Sequence, residues 1–61
     1  MSFQVGDVVC RNEEDEHIIT GINWDGMMIN VKCIKGDYCF DVGDVESNLA
    51  SRYVIVRKKG I

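Results

Sequence analysis

Proline is absent from the 61 residues, and with it any proline-rich linker; no low-complexity tract or composition shift marks a domain boundary either. The chain is expected to be a single domain, 1–61, with an ordered core over about 3–57 and a tail at 58–61. Histidine occurs once, at His17, so a paired-imidazole metal site or relay is excluded from the outset. No apolar run approaches the ~18 residues of a membrane span. Met1-Ser2-Phe3-Gln4 carries neither the basic start nor the apolar stretch of a secretory signal. A cytoplasmic protein without membrane contact is the expectation. Cys-x-x-Cys spacing is missing, and three cysteines, Cys10, Cys33 and Cys39, cannot all pair within one chain. They read as reduced, mostly buried thiols. Positive charge is also in short supply: seven Lys and Arg against ten Asp and Glu leave a net charge of −3, which opposes adventitious binding to phosphate backbones.

What is present is a strand pattern. Asp25-Gly26 lies between two runs rich in Ile, Val, Met and Trp, and that dipeptide is the preferred centre of a two-residue type I′ hairpin turn. With Trp24 opposite Met27, strict alternation puts Ile22/Ile29, Thr20/Val31 and Ile18/Cys33 on one apolar face. The opposite face then carries Asn23/Met28, Gly21/Asn30, Ile19/Lys32 and His17/Ile34. Gly36-Asp37 offers a second tight turn of the type II′ kind, pairing Lys35 with Tyr38, Cys33 with Phe40, Val31 with Val42 and Lys32 with Asp41. A first strand is expected at Asp7–Arg11 and a last at Tyr53–Arg57. Asp44–Ser51 reads as a loop or one helical turn between strands, and the acidic block Glu13–Glu16 as a solvated first loop. One internal echo stands out: Phe3-Gln4-Val5-Gly6-Asp7-Val8 and Phe40-Asp41-Val42-Gly43-Asp44-Val45 share Phe-x-Val-Gly-Asp-Val. Two equivalent turn-into-strand corners, each bent at its glycine, would produce it.

Five short strands, tight hairpins and a helical turn before the last strand resemble the small SH3-like barrels, the group that includes Tudor and KOW-type modules. Gly6-Asp7-Val8-Val9 looks like the strand-opening Gly-Asp-x-Val of such barrels, whereas Arg11-Asn12-Glu13 stand where KOW sequences carry further glycines. The chain is also similar in size and style to small barrel proteins that bacteria and their phages encode. The resemblance implies an all-β fold, an SH3-like five-stranded barrel or strongly bent antiparallel sheet, acting as a binding module.

Catalysis is not expected. A barrel this small fills its interior with side chains, and His17 on the outer face has no partner that would make it a base. Cys10, Cys33, Cys39 and His17 are zinc-ligand types, but the register turns Cys33 and Cys39 to opposite sides of one sheet, so no metal and no cofactor are expected. Asp37, Asp41, Asp44 and Glu46 are not spaced as a calcium loop and read as a solvated acidic edge.

Two binding readings remain. For protein binding, the outer positions His17, Ile19, Met28, Ile34 and Cys39 form an apolar strip beyond what a small barrel must expose, and unpaired edge strands invite addition by a partner or by a second copy as a homodimer. A core this thin rarely supplies more than ~3–5 kcal/mol unaided, which also favours a partner subunit. For nucleic acid, the second reading, Lys32, Lys35, Arg52, Arg57, Lys58 and Lys59 would form the patch, with Tyr38, Tyr53 or Trp24 stacking bases. The partner's identity is not written in the residues.

Overall fold

The computed structural model describes residues 3–11, 15–36, 43 and 45–60. Its longest hairpin is built on the expected turn. Asp25 sits at φ 55°, ψ 34° and Gly26 at φ 90°, the left-handed pair that a type I′ turn requires at its two central residues. Strand β2 (Asp15–Asn23) and strand β3 (Met28–Gly36) leave that turn antiparallel, pairing Asn23 with Met28, Ile22 with Ile29 and Gly21 with Asn30. These three pairs match the sequence register. At the tip, however, Met27 is 66% exposed and does not enter the core.

Below Gly21 the register departs from strict alternation. Thr20 is skipped by a bulge, so that Ile19 pairs with Val31, Ile18 with Lys32 and His17 with Cys33. Strict alternation would have buried the Thr20 hydroxyl and exposed Ile19. One extra residue reverses both: Ile19 is buried at 1% exposure, and the Thr20 hydroxyl donates to the Asn30 carbonyl at 3.3 Å on the outer side. Ile18, assigned to the core by alternation, is half-buried instead. A second irregularity between Glu16 and His17 leaves Ile34 without a cross-strand partner, and Asp15 pairs with Gly36 at the far end.

The remaining strands complete one sheet in the order β4-β3-β2-β1-β5. Strand β1 (Val8–Cys10) pairs with β2 and with β5 (Val54–Arg57), and β4 (Val45–Leu49) pairs with β3. The fold is all-β, and a single 3₁₀ turn, Ala50–Arg52, precedes the last strand. Strand β4 lies where a loop was expected. Val31 pairs with Glu46 and Lys32 with Val45, which displaces the expected pairs Val31/Val42 and Lys32/Asp41. The partners proposed at 37–42 lie outside the described residues. The physical reason is that β4 is an exposed edge whose stability comes from its ladder and from polar contacts, such as the Ser47 hydroxyl with the Asn30 side chain, so Glu46-Ser47-Asn48 shows no apolar alternation. The acidic block is likewise only partly a loop, since Asp15 and Glu16 open β2 and Asp15 is buried.

Val9, Ile19, Ile29, Val31, Ala50 and Tyr53 form the buried core, with Phe3, Ile22 and Ile55 packed against it. The two ends of the chain are tied together beside it. Asp7 is buried, and its carboxylate accepts from the Lys59 backbone N–H at 2.8 Å, the Lys58 ammonium at 2.9 Å and the Gln4 backbone N–H at 2.9 Å. Lys58 and Lys59 are thus held against the body by named partners, where a loose tail was expected. The internal echo also has a counterpart. Gly6 (φ 97°) donates its N–H to the Ile19 carbonyl and Gly43 (φ 105°) to the Cys33 carbonyl, at 2.9 and 2.8 Å. Both glycines take the left-handed bend and both touch the neighbouring strand in the same way.

Candidate functional site

The five residues of the expected apolar strip do not lie on one surface. The bulge at Thr20 turns Ile19 inward and His17 with it, leaving His17 2% exposed. Ile34 stays on the surface at 36% exposure, Met28 is half-buried, and Cys39 is outside the described residues. His17 and Ile19 are therefore corrected from outer-face to core residues. Loss of alternation at an in-strand glycine was the available signal: Gly21, inside a β pattern, marks a bulge or a close approach, and a Cβ there would stand 3.1 Å from the Asn30 side-chain amide.

Turned inward, His17 becomes part of a polar cluster that sequence reasoning missed. Its Nε2–H donates to Asp15 Oδ2 at 2.7 Å, and the Arg11 backbone N–H donates to Asp15 Oδ1 at 3.2 Å. The Tyr53 ring meets the imidazole edge-on, centroids 5.8 Å apart and planes at 81°. Tyr53 donates its hydroxyl proton to Glu46 at 3.3 Å, and the Arg11 guanidinium reaches the same Glu46 oxygen at 3.3 Å while lying 6.0 Å from the Tyr53 ring centre. Burial, reinforced by the Glu46 charge, pushes the Tyr53 hydroxyl above its usual pKa of 10.0 and keeps it a donor. The cluster links β1, β2, β4 and the start of β5. It bridges the two ends of the sheet, which have no ladder between them among the described residues.

His17 Nδ1 is buried with no hydrogen-bond partner among the described residues. Cys33, opposite His17 in the ladder, is disulfide-bonded, so its sulfur is not available as a thiolate nucleophile. That disulfide also overturns the expectation that all the cysteines are reduced. Strict alternation gave Cys33 its inward facing correctly, and its side chain is buried at 2% exposure. Among the described residues no group of three or more His, Cys, Asp and Glu is placed to hold a metal ion.

Exposed apolar surface concentrates on the edge strands. In β5, Val54 is 64% and Val56 43% exposed, while Ile55 between them packs on the core. Cys10 pairs with Val54 and extends the same outer face onto β1. Basic residues frame the strand: Arg52 before it, Arg57 at its end and Lys59 beyond are all exposed. The six cations of the nucleic-acid reading do not act together, because Arg57 is paired with Glu16 at 3.1 Å and Lys58 with Asp7, while Lys35 stands opposite Glu16 in the ladder. Among the described residues Lys32, Arg52 and Lys59 make no ion pair. Among the described residues no helix is long and apolar enough to cross a membrane. No family model matches the chain, and no curated protein or solved structure is similar enough to count as a relative.

Proposed function

We propose that this chain is a non-enzymatic binding module built on a small SH3-like barrel, and that it works by docking another protein on the outer face and edge of β5. The observation that carries the reading is the pair Val54 and Val56, two β-branched side chains left largely in water on a strand that ends the sheet. Support for the barrel comes from the strand order β4-β3-β2-β1-β5, the 3₁₀ turn between β4 and β5, and Gly6-Asp7-Val8-Val9 leading into β1. The polar cluster serves this role by fixing the start of β5 through Tyr53.

Val54→Lys tests it. An exposed strand position tolerates the change at a cost within about 0.5 kcal/mol, so the variant should fold like the parent while losing the protein that the parent captures from cells of its source. Equal capture by parent and variant would remove β5 as the docking surface. The nucleic-acid alternative is checked in parallel by titrating mixed single- and double-stranded oligonucleotides at several salt concentrations. Binding that falls steeply with salt would favour it, but the net charge of −3 and the pairing of Arg57 and Lys58 with acids weigh the other way.

A further inference from the structure

Resting on that reading, we infer that the partner of β5 is an extended protein segment that adds as a further strand, with acidic residues flanking a short run of β-branched ones. Three features of the edge select this occupant. First, among the described residues β5 is the end strand of the sheet, so one side of Val54–Arg57 offers backbone N–H and C=O groups that only another extended chain can pair in register. Second, the two edges differ. Strand β4 leaves Val45 (65%) and Leu49 (40%) exposed at its two ends, but Glu46-Ser47-Asn48 run between them and Glu46 is already engaged by Arg11 and Tyr53. Strand β5 carries Val54-Ile55-Val56, the residue types with the highest strand propensity and no charge until Arg57.

Third, the charge is of one sign at both ends. Arg52 stands before β5, and Arg57 and Lys59 after it; the Arg57 side chain is 59% exposed despite its contact with Glu16. A surface pair of that kind is weak, so Arg57 remains able to meet a second carboxylate. The same charges argue against a second copy. Antiparallel pairing of β5 with itself would set the Arg52 end of one strand across from the Arg57 and Lys59 end of the other, cation against cation at both ends. Pairing β5 of one copy with β4 of the next would be a heterologous contact, which gives a ring or a filament rather than a closed dimer. An acidic, β-branched segment from another protein satisfies backbone, side-chain and charge requirements together.

The probe is a dye-labelled seven-residue peptide, aspartate, then valine and threonine alternating over five positions, then glutamate, followed by fluorescence anisotropy. Binding should weaken at least tenfold when the two acids are replaced by lysines, and at least tenfold for one of the two peptides N-methylated at alternate backbone nitrogens, because only one row of N–H groups faces β5. Arg52→Gln and Arg57→Gln should each weaken binding about threefold or more, with circular dichroism reporting the fold; if R57Q unfolds, R52Q alone decides the charge requirement. Equal binding of acidic and lysine probes, indifference to both methylation patterns, or no binding at all would overturn the inference. So would self-association abolished by V54K, which would assign the edge to a second copy, or competition by a single-stranded oligonucleotide, which would assign it to nucleic acid. If no probe binds while V54K still loses a cellular partner, the strand-addition inference fails and the binding-module reading stands.

Discussion

Asp7 shows how much a single buried carboxylate can organise in a small fold. Three donors converge on it from two ends of the chain, the Lys59 N–H, the Lys58 ammonium and the Gln4 N–H, and together they outweigh burial and hold its pKa at about 2 against an ordinary 3.8. A folded-state pKa below the unfolded one means that the stabilisation is complete above about pH 4 and is lost as pH falls through about 2. Asp7→Asn should therefore be less stable than the parent at pH 7, and the gap between their urea midpoints should close as pH is lowered from about 4 to 2. A gap that stays constant over that range would show that the carboxylate's charge is not what holds the two ends. Gly6, next in the chain, is bound to the same corner. A Cβ there would stand 2.6 Å from Lys59 Cδ, but a lysine stem can move aside, so the cost of Gly6→Ala comes from φ 97° and should be about 1 kcal/mol in chemical denaturation.

Among the strands, β2 decides which side chains are core and which are surface. Ile19→Lys should unfold the domain, since the side chain is buried between Val31 and the rest of the core and a lone ammonium there costs several kcal/mol. Ile34→Lys, at a bulged and partly exposed position, should cost within about 0.5 kcal/mol. Thermal melts of the two variants read the register directly, because strict alternation would expose both residues and make both lysines harmless. This is also where the sequence was readable and where it stopped being so. The turn at Asp25-Gly26, the first and last strands and the 3₁₀ turn before β5 followed from local chemistry, turn dihedrals and β-branched runs that a few neighbouring residues determine. The facing of His17 depended on one inserted residue three positions away, and β4 depended on a ladder whose own side chains carry no apolar pattern. Of the described residues of the expected strip, only Ile34 and Met28 kept surface character; Val54 and Val56 were visible as a β-branched run but not as an edge, because edges are a property of strand order.

At the scale of the whole molecule, a chain of 61 residues buries only about 60% of its unfolded surface and needs reinforcement beyond its core. Two devices supply it: the Arg11, Glu46 and Tyr53 contacts that draw the ends of the sheet together, and the disulfide at Cys33 on β3. A cross-link restricts the unfolded chain and typically contributes ~2–4 kcal/mol, less when the closed loop is short. In a domain of this size each kcal/mol moves the melting temperature by roughly 4–8 °C. Reductant should therefore lower the melting temperature by about 5 °C or more, and Cys33→Ser should melt at the reduced parent's temperature and no longer respond to reductant. Thiol titration of the unfolded, unreduced protein should count fewer than the three thiols of the sequence. If the parent shows all three thiols and an unchanged melt, Cys33 is a reduced core thiol, as the composition alone suggested. If the shift is found, the thiols give no support to a reducing compartment, since disulfides persist where the surroundings are oxidising. The β5 edge would then be matched to segments exposed in the same compartment.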